Sequence, residues 1–118
     1  MYGVVKLGKK EVPMMANAAT PIRYRQVFGK NILQYFLGNA ADEETTAMVS
    51  ELAYIMARAG ENADMNKLNI DDYIKWLEDF GPMDFVTEKN ARAIMAIYQG
   101  NEGTSSTAKK NQGRQSEK

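Results

Sequence analysis

The sequence contains neither cysteine nor histidine among its 118 residues. The absence of cysteine excludes a disulfide framework, a zinc ribbon and a thiol nucleophile. The absence of histidine excludes a Ser-His-Asp triad and removes the usual ligand of zinc and iron sites. The acid pairs Asp71-Asp72 and Glu78-Asp79 remain, but their helix-forming neighbours are typical of a solvated helix face or terminus. We therefore predict a protein that is not an enzyme and that holds no cofactor or metal.

Long hydrophobic runs are also missing, and the start MYGVVKLGKK has no apolar core or cleavage site of a signal peptide. We expect a soluble, intracellular protein without membrane contact. A hydrophobic content of 44% is enough for one small domain. We assign residues 1–100 to a globular helical domain and residues 101–118 to a flexible polar tail, because the tail has no large apolar residue to bury.

Charge is balanced over the whole chain but unevenly distributed along it. Residues 1–41 carry a net charge of +5 and residues 42–84 a net charge of −8. This asymmetry favours head-to-tail contact between copies, or a charged protein partner, over binding to a polyanion. The alternative is that folding mixes the two signs on one surface.

Turn and capping residues predict the elements. The stretch YGVVKLGKKEVPMM is typical of a hairpin around Gly8, with Pro13 on an edge strand. About four helices follow, so the fold class is α+β, mainly α, with a disordered C-terminal tail. The predicted helices run from a Thr20 cap to Gly38-Asn39, from Ala41-Asp42 to Gly60, from an Asn69 cap to Gly81-Pro82, and from a Thr87 cap to Gly100.

Periodicity predicts which helix faces point inward. In the first helix, Gly29 interrupts an amphipathic pattern and predicts a close crossing with another element. The inward residues expected for the other helices are Met48, Val49, Leu52, Ile55, Met56 and Ala59 in the second, Ile70, Tyr73, Ile74, Leu77 and Phe80 in the third, and Ala91, Ile94, Ile97 and Tyr98 in the fourth.

Seven residues are candidates for partner binding. Eight methionines are many for this length, and methionine suits adaptable surfaces, so Met14, Met15 and Met83 are expected in an exposed patch. The basic side chains Arg23, Arg25 and Lys30 form the polar face of the first helix. Trp76 lies off the main stripe of its helix, where it is either a partner anchor or core, and core is favoured.

The order of these features resembles the tail assembly chaperones of long-tailed phages and prophages of Gram-positive bacteria. The hairpin, the small-residue loop and then TPIRYRQVFGKNIL are similar to the start of that family's first helix, although Asn31 stands where the family has an acid. DDYIKWLEDF, an alanine-rich last helix and a polar tail follow the same layout. The resemblance covers residues 2–100 in the order of elements and is specific in sequence only over residues 20–36.

The resemblance implies a non-catalytic chaperone that binds the tape-measure protein and keeps it soluble until tail-tube subunits polymerise around it. It also implies self-association, residence in the host bacterial cytoplasm and absence from the mature virion. The family commonly makes a longer product by a −1 ribosomal frameshift, through which the tail-tube protein becomes a partner. Ala108-Lys109-Lys110 could be encoded by a slippery heptamer.

Two other functions stay open at this point. A small regulatory protein could bind nucleic acid through its basic helix, although a zero net charge disfavours this, because phosphate contacts need basic surface. Retention on heparin near physiological salt would favour that function. A structural head-tail connector component is the third possibility, and its presence in purified particles would identify it.

Overall fold

The computed structural model describes residues 1–36 and 42–100. The predicted fold class is confirmed, since an antiparallel hairpin precedes five α-helices in the described chain. The predicted stop at Gly38-Asn39 and the predicted tail over 101–118 lie outside the described residues. The elements are β1 (Tyr2–Leu7), β2 (Lys10–Met15), α1 (Thr20–Phe28), α2 (Leu33–Phe36), α3 (Asp42–Gly60), a 3-10 turn (Met65–Lys67), α4 (Ile70–Leu77) and α5 (Glu88–Gln99).

The hairpin turns at Gly8 and Lys9, and Gly8 has a φ of +63°, a conformation that glycine adopts without strain. Leu7 pairs with Lys10 across this turn. Pro13 is tolerated because each strand of a two-stranded sheet has an outer edge that needs no ladder hydrogen bond. The inner face of the hairpin is buried and consists of Val5, Leu7, Val12 and Met14.

α1 begins one residue earlier than predicted. Ala19 occupies the cap position, and Thr20 and Pro21 are the first two residues of the helix. Of these two, Thr20 is buried. The Thr20 hydroxyl accepts a hydrogen bond from the Asn17 N–H (2.9 Å), and the Asn17 side chain accepts one from the Ala19 N–H (2.9 Å). The small-residue loop thus supplies its own hydrogen bonds at the start of the helix.

The first predicted helix is two helices. α1 ends at Phe28 because Gly29 takes a left-handed φ of +70°, and its N–H donates to the Arg25 carbonyl oxygen. A close crossing at Gly29 is wrong, since beyond the adjacent residues no heavy atom lies within 4 Å of the position that a Cβ would take. The Asn31 side chain then accepts a hydrogen bond from the first N–H of α2, and Ile32 is buried against the core.

α3 lies at the centre of the fold. Every residue from Met48 to Ala57 is buried, so the predicted stripe is too narrow over this part of the helix. Ala59, the last residue of the predicted stripe, is only partly buried and faces a surface groove. β2, α1, α4 and α5 all pack against this helix. A helix that is buried on all sides is typical of a core position.

The close crossing is at Gly60. A Cβ on this residue would lie 2.5 Å from the Pro13 carbonyl oxygen and 3.0 Å from the Met14 Cα. The last turn of α3 therefore lies directly on β2. α3 ends at Gly60 as predicted, but Gly60 is not left-handed. The left-handed residue beyond α3 is Asn62, with a φ of +60°.

α4 and α5 have the predicted N-caps. The Asn69 side chain accepts a hydrogen bond from the Asp72 N–H (2.8 Å), and the Thr87 hydroxyl accepts one from the Asn90 N–H (3.3 Å). α5 ends at Gly100, which has a left-handed φ of +67°. The predicted inward face of α5 is confirmed, because all four of its residues pack into the core: Ala91, Ile94, Ile97 and Tyr98.

α4 is rotated relative to the prediction. Tyr73, Leu77 and Phe80 pack against the core as predicted. Ile70 and Ile74 do not, since 44% and 49% of their surfaces are exposed, whereas Trp76 is buried. The Trp76 ring lies 4.8 Å from the Phe80 ring and 5.6 Å from the Phe85 ring, measured between centroids. The large indole takes the inner position because it buries the most apolar area.

Candidate partner-binding surfaces

A groove of about 330 Å³ opens between the start of α1, the last turns of α3 and the 3-10 turn. Apolar side chains form most of its lining, and the thioethers of Met15 and Met65 are two of them. Asn62, with its left-handed backbone, lies between α3 and the 3-10 turn at this surface. The other lining residues are Asn17, Ala19, Thr20, Arg23, Ile55, Ala59 and Ala63.

Arg23 is the charged residue of this lining. Its guanidinium donates to the Met65 carbonyl oxygen (3.3 Å), the Asn66 side chain (3.1 Å) and the Gln26 side chain (3.4 Å). All three acceptors are neutral, and in the described part of the chain no carboxylate lies within ion-pair distance of Arg23. A half-buried guanidinium without a counter-charge, beside apolar side chains, favours a partner that carries a carboxylate next to an apolar group.

Lys30 is held by the core of the same molecule. Its ammonium lies 3.1 Å from Glu51, a buried carboxylate that also accepts a hydrogen bond from the Tyr24 hydroxyl (2.7 Å). Partial burial lowers the pKa of Lys30, but the hydrogen bond and charge of Glu51 outweigh this and raise it above its ordinary value. Burial and the same carboxylate raise the pKa of Tyr24, which therefore stays neutral. Lys30 is thus a structural residue, and its prediction as a partner contact is not supported.

The prediction of an exposed methionine patch is wrong in part. Met14 is fully buried in the inner face of the hairpin, and Met15 is half-buried at the groove. Met83 is 63% exposed, as the prediction requires, but it lies in the turn before α5 rather than in the groove. Trp76 is core, the alternative that the sequence favoured. Arg25 is exposed on α1 and does not line the groove.

The two signs of charge are partly mixed by folding. Lys30, from residues 1–41, pairs with Glu51, from residues 42–84 (3.1 Å). A Cβ on Gly8, at the tip of the basic hairpin, would lie 3.0 Å from the Asp84 carboxylate. The alternative that folding mixes the charges is therefore correct at these contacts.

A second surface is a row of residues on the outer side of α4. Ile70, Ile74 and Glu78 follow one another at intervals of four residues, which places them on one line along the helix. The two isoleucines are about half exposed and Glu78 is exposed. We call these three residues the α4 row. Among the described residues, no ion pair involves Glu78.

Sequence reasoning found Arg23 and Met15 but not the groove that contains them. Ala59, Ala63 and Met65 carry no local signal of a site, because alanine and methionine are equally typical of a small core. The small-residue segment ANAAT borders the groove on one side, and residues 60–65 border it on the other. Small residues leave space at a surface only when two such segments meet, and that depends on tertiary packing.

Comparison with known proteins finds no family model, no curated protein and no solved structure that matches this chain. Over residues 1–36 and 42–100, no helix has the length and apolar character needed to cross a membrane.

Proposed function

We propose that this protein is a non-catalytic tail assembly chaperone that binds the tape-measure protein in the cytoplasm of the host and is absent from the finished virion. The resemblance over residues 20–36 suggests this function, and the groove beside Arg23 is the observation that supports it. A tape-measure protein is a long, largely helical chain with apolar surface to be covered before the tail tube forms around it.

The groove fits the chemistry of a helix-in-groove contact. An amphipathic helix presents apolar side chains at intervals of three and four residues, and one of these would enter a cavity lined by methionine and alanine. Methionine adapts to side chains of different shape, which suits a client whose sequence varies along its length. Arg23 would pair with an acidic residue next to the inserted side chain.

Many weak sites explain how a small protein could cover a long client. A groove of this size accommodates only one or two side chains, so each copy binds with modest affinity. Copies that also contact one another along the client gain avidity. A longer frameshifted product that recruits the tail-tube protein stays a prediction, and the codons of Ala108-Lys109-Lys110 test it.

Blocking the groove tests the proposed site. The variant Ala63→Trp places a large ring in the groove, whereas Ala47→Trp adds the same ring to an exposed position of α3 that does not line it. We expect the tape-measure protein to co-purify with the wild type and with Ala47→Trp, and to be lost with Ala63→Trp. Circular dichroism of both variants is the control for correct folding. Equal recovery of the client with all three proteins would contradict binding in this groove.

A further inference from the structure

The groove and the α4 row are complementary in chemistry. The groove is apolar and contains a guanidinium that no described carboxylate neutralises. The α4 row offers two exposed isoleucines and, one turn further on, an exposed carboxylate. The groove therefore offers apolar space and a positive charge, and the α4 row offers apolar side chains and a negative charge.

We propose that the groove of one molecule receives the α4 row of a second copy of this chain. An isoleucine of the row enters the groove, and Glu78 pairs with Arg23 of the other copy. A cavity of roughly 150 Å³ is enough to bind benzene, so a groove of about 330 Å³ has room for a branched aliphatic side chain.

A molecule cannot fill its own groove in this way. Asp72 holds the inner side of α4 to α3 through Tyr54 (2.6 Å) and Arg58 (3.2 Å), and Trp76 is locked among aromatic rings. These contacts keep Ile70 and Ile74 on the outer side of the helix. The occupant must therefore come from another molecule.

The contact joins two different surfaces, so an open chain of copies keeps a free groove at one end and a free α4 row at the other until a ring closes. Repeated contacts of this kind build rings or open chains of client-free copies. The inference uses the groove of the proposed function but needs no client. A client helix and the α4 row of a second copy would compete for the same groove.

Charge reversal tests the contact in the purified protein without a client. We expect the wild type to associate with increasing concentration in analytical ultracentrifugation at low salt. Arg23→Glu and Glu78→Arg should each weaken association about tenfold or more, because each places like charges together. The double variant R23E/E78R, or an equimolar mixture of the two single variants, restores an attractive pair and should recover association.

Arg25→Glu is the matched control, because it reverses an exposed charge two residues away on the same helix but outside the groove. It should associate like the wild type. Thermal melts of all variants detect loss of folding, and Glu78→Arg is compatible with the C-terminal end of α4, where a basic residue is favourable.

Three results would overturn the inference: a wild type that stays monomeric at the highest soluble concentration, single reversals that associate like the wild type, or a double variant that does not recover. A monomeric protein that still solubilises the tape-measure protein would refute the self-contact and leave the proposed function standing. A protein that self-associates but fails to bind the tape-measure protein would refute the proposed function and leave the self-contact standing.

Discussion

Replacing Gly60 with alanine should destabilise the protein although alanine is the better helix former. In a helix interior, alanine is favoured over glycine by about 1 kcal/mol, and by less at a last residue such as this one. The added methyl group would lie 2.5 Å from the Pro13 carbonyl oxygen and 2.7 Å from its carbonyl carbon. Both are backbone atoms of a paired strand, so they cannot move aside as a flexible side chain would.

Overpacking of this kind costs about 1–3 kcal/mol. We therefore expect Gly60→Ala to lower the free energy of unfolding by about 1–2 kcal/mol, as the difference between this cost and the helix gain. Urea unfolding followed by circular dichroism should show a lower midpoint with an unchanged m value.

Gly29→Asn is the control. Gly29 is left-handed with open space around it, and asparagine tolerates that conformation, so the change should stay within about 0.5 kcal/mol. A Gly60→Ala protein as stable as the wild type would refute the close crossing of α3 and β2.

Two further predictions concern α4. Trp76→Ala should destabilise the protein by about 3–5 kcal/mol, because it empties a buried site. Ile74→Ser, at an exposed position, should change stability by less than about 0.5 kcal/mol. Equal losses of unfolding free energy in urea for the two variants would contradict the observed rotation of the helix. Burial raises the pKa of Asp72, but hydrogen bonds from Tyr54 and Arg58 outweigh it and hold this pKa below its ordinary value. The ionised carboxylate therefore stabilises the fold above the unfolded pKa of about 3.9, and this contribution is lost as pH falls through the lower folded pKa. The difference in unfolding free energy between the wild type and Asp72→Asn should therefore shrink below about pH 4.

Local chemistry made much of the fold predictable. Asn69, Thr87 and Gly100 act within one turn of their own helices, so their roles follow from neighbouring residues alone. The hairpin is equally local, because Gly8 lies between two short apolar runs. Such signals do not depend on the rest of the chain, and they were confirmed.

The roles of Gly29 and Gly60 and the rotation of α4 depend on long-range contacts, which local sequence patterns do not specify. A glycine that ends a helix and a glycine that permits a crossing look alike in sequence, which is why the expected roles of Gly29 and Gly60 were exchanged. In α4, the isoleucines and Trp76 define two overlapping apolar faces, and only packing against Phe80 and Phe85 selects the second.

The candidate site was less predictable than the fold. Arg23 and Lys30 look equivalent on the predicted first helix, yet Arg23 lines a groove and Lys30, beyond the end of α1, pairs with a buried carboxylate. The difference depends on Glu51, which is buried on another helix and is distant in sequence from Lys30. The groove itself is formed by segments that are distant in sequence, and no local pattern brings them together.

Co-expression with the tape-measure protein that the proposed function requires tests that function most directly. The amount of tape-measure protein in the soluble fraction is measured with and without this chain, together with its recovery in a complex. We predict that the client is soluble only when this chain is present and that several copies co-purify with each client molecule. A client that is equally insoluble in both cases, with no complex, would contradict the chaperone function.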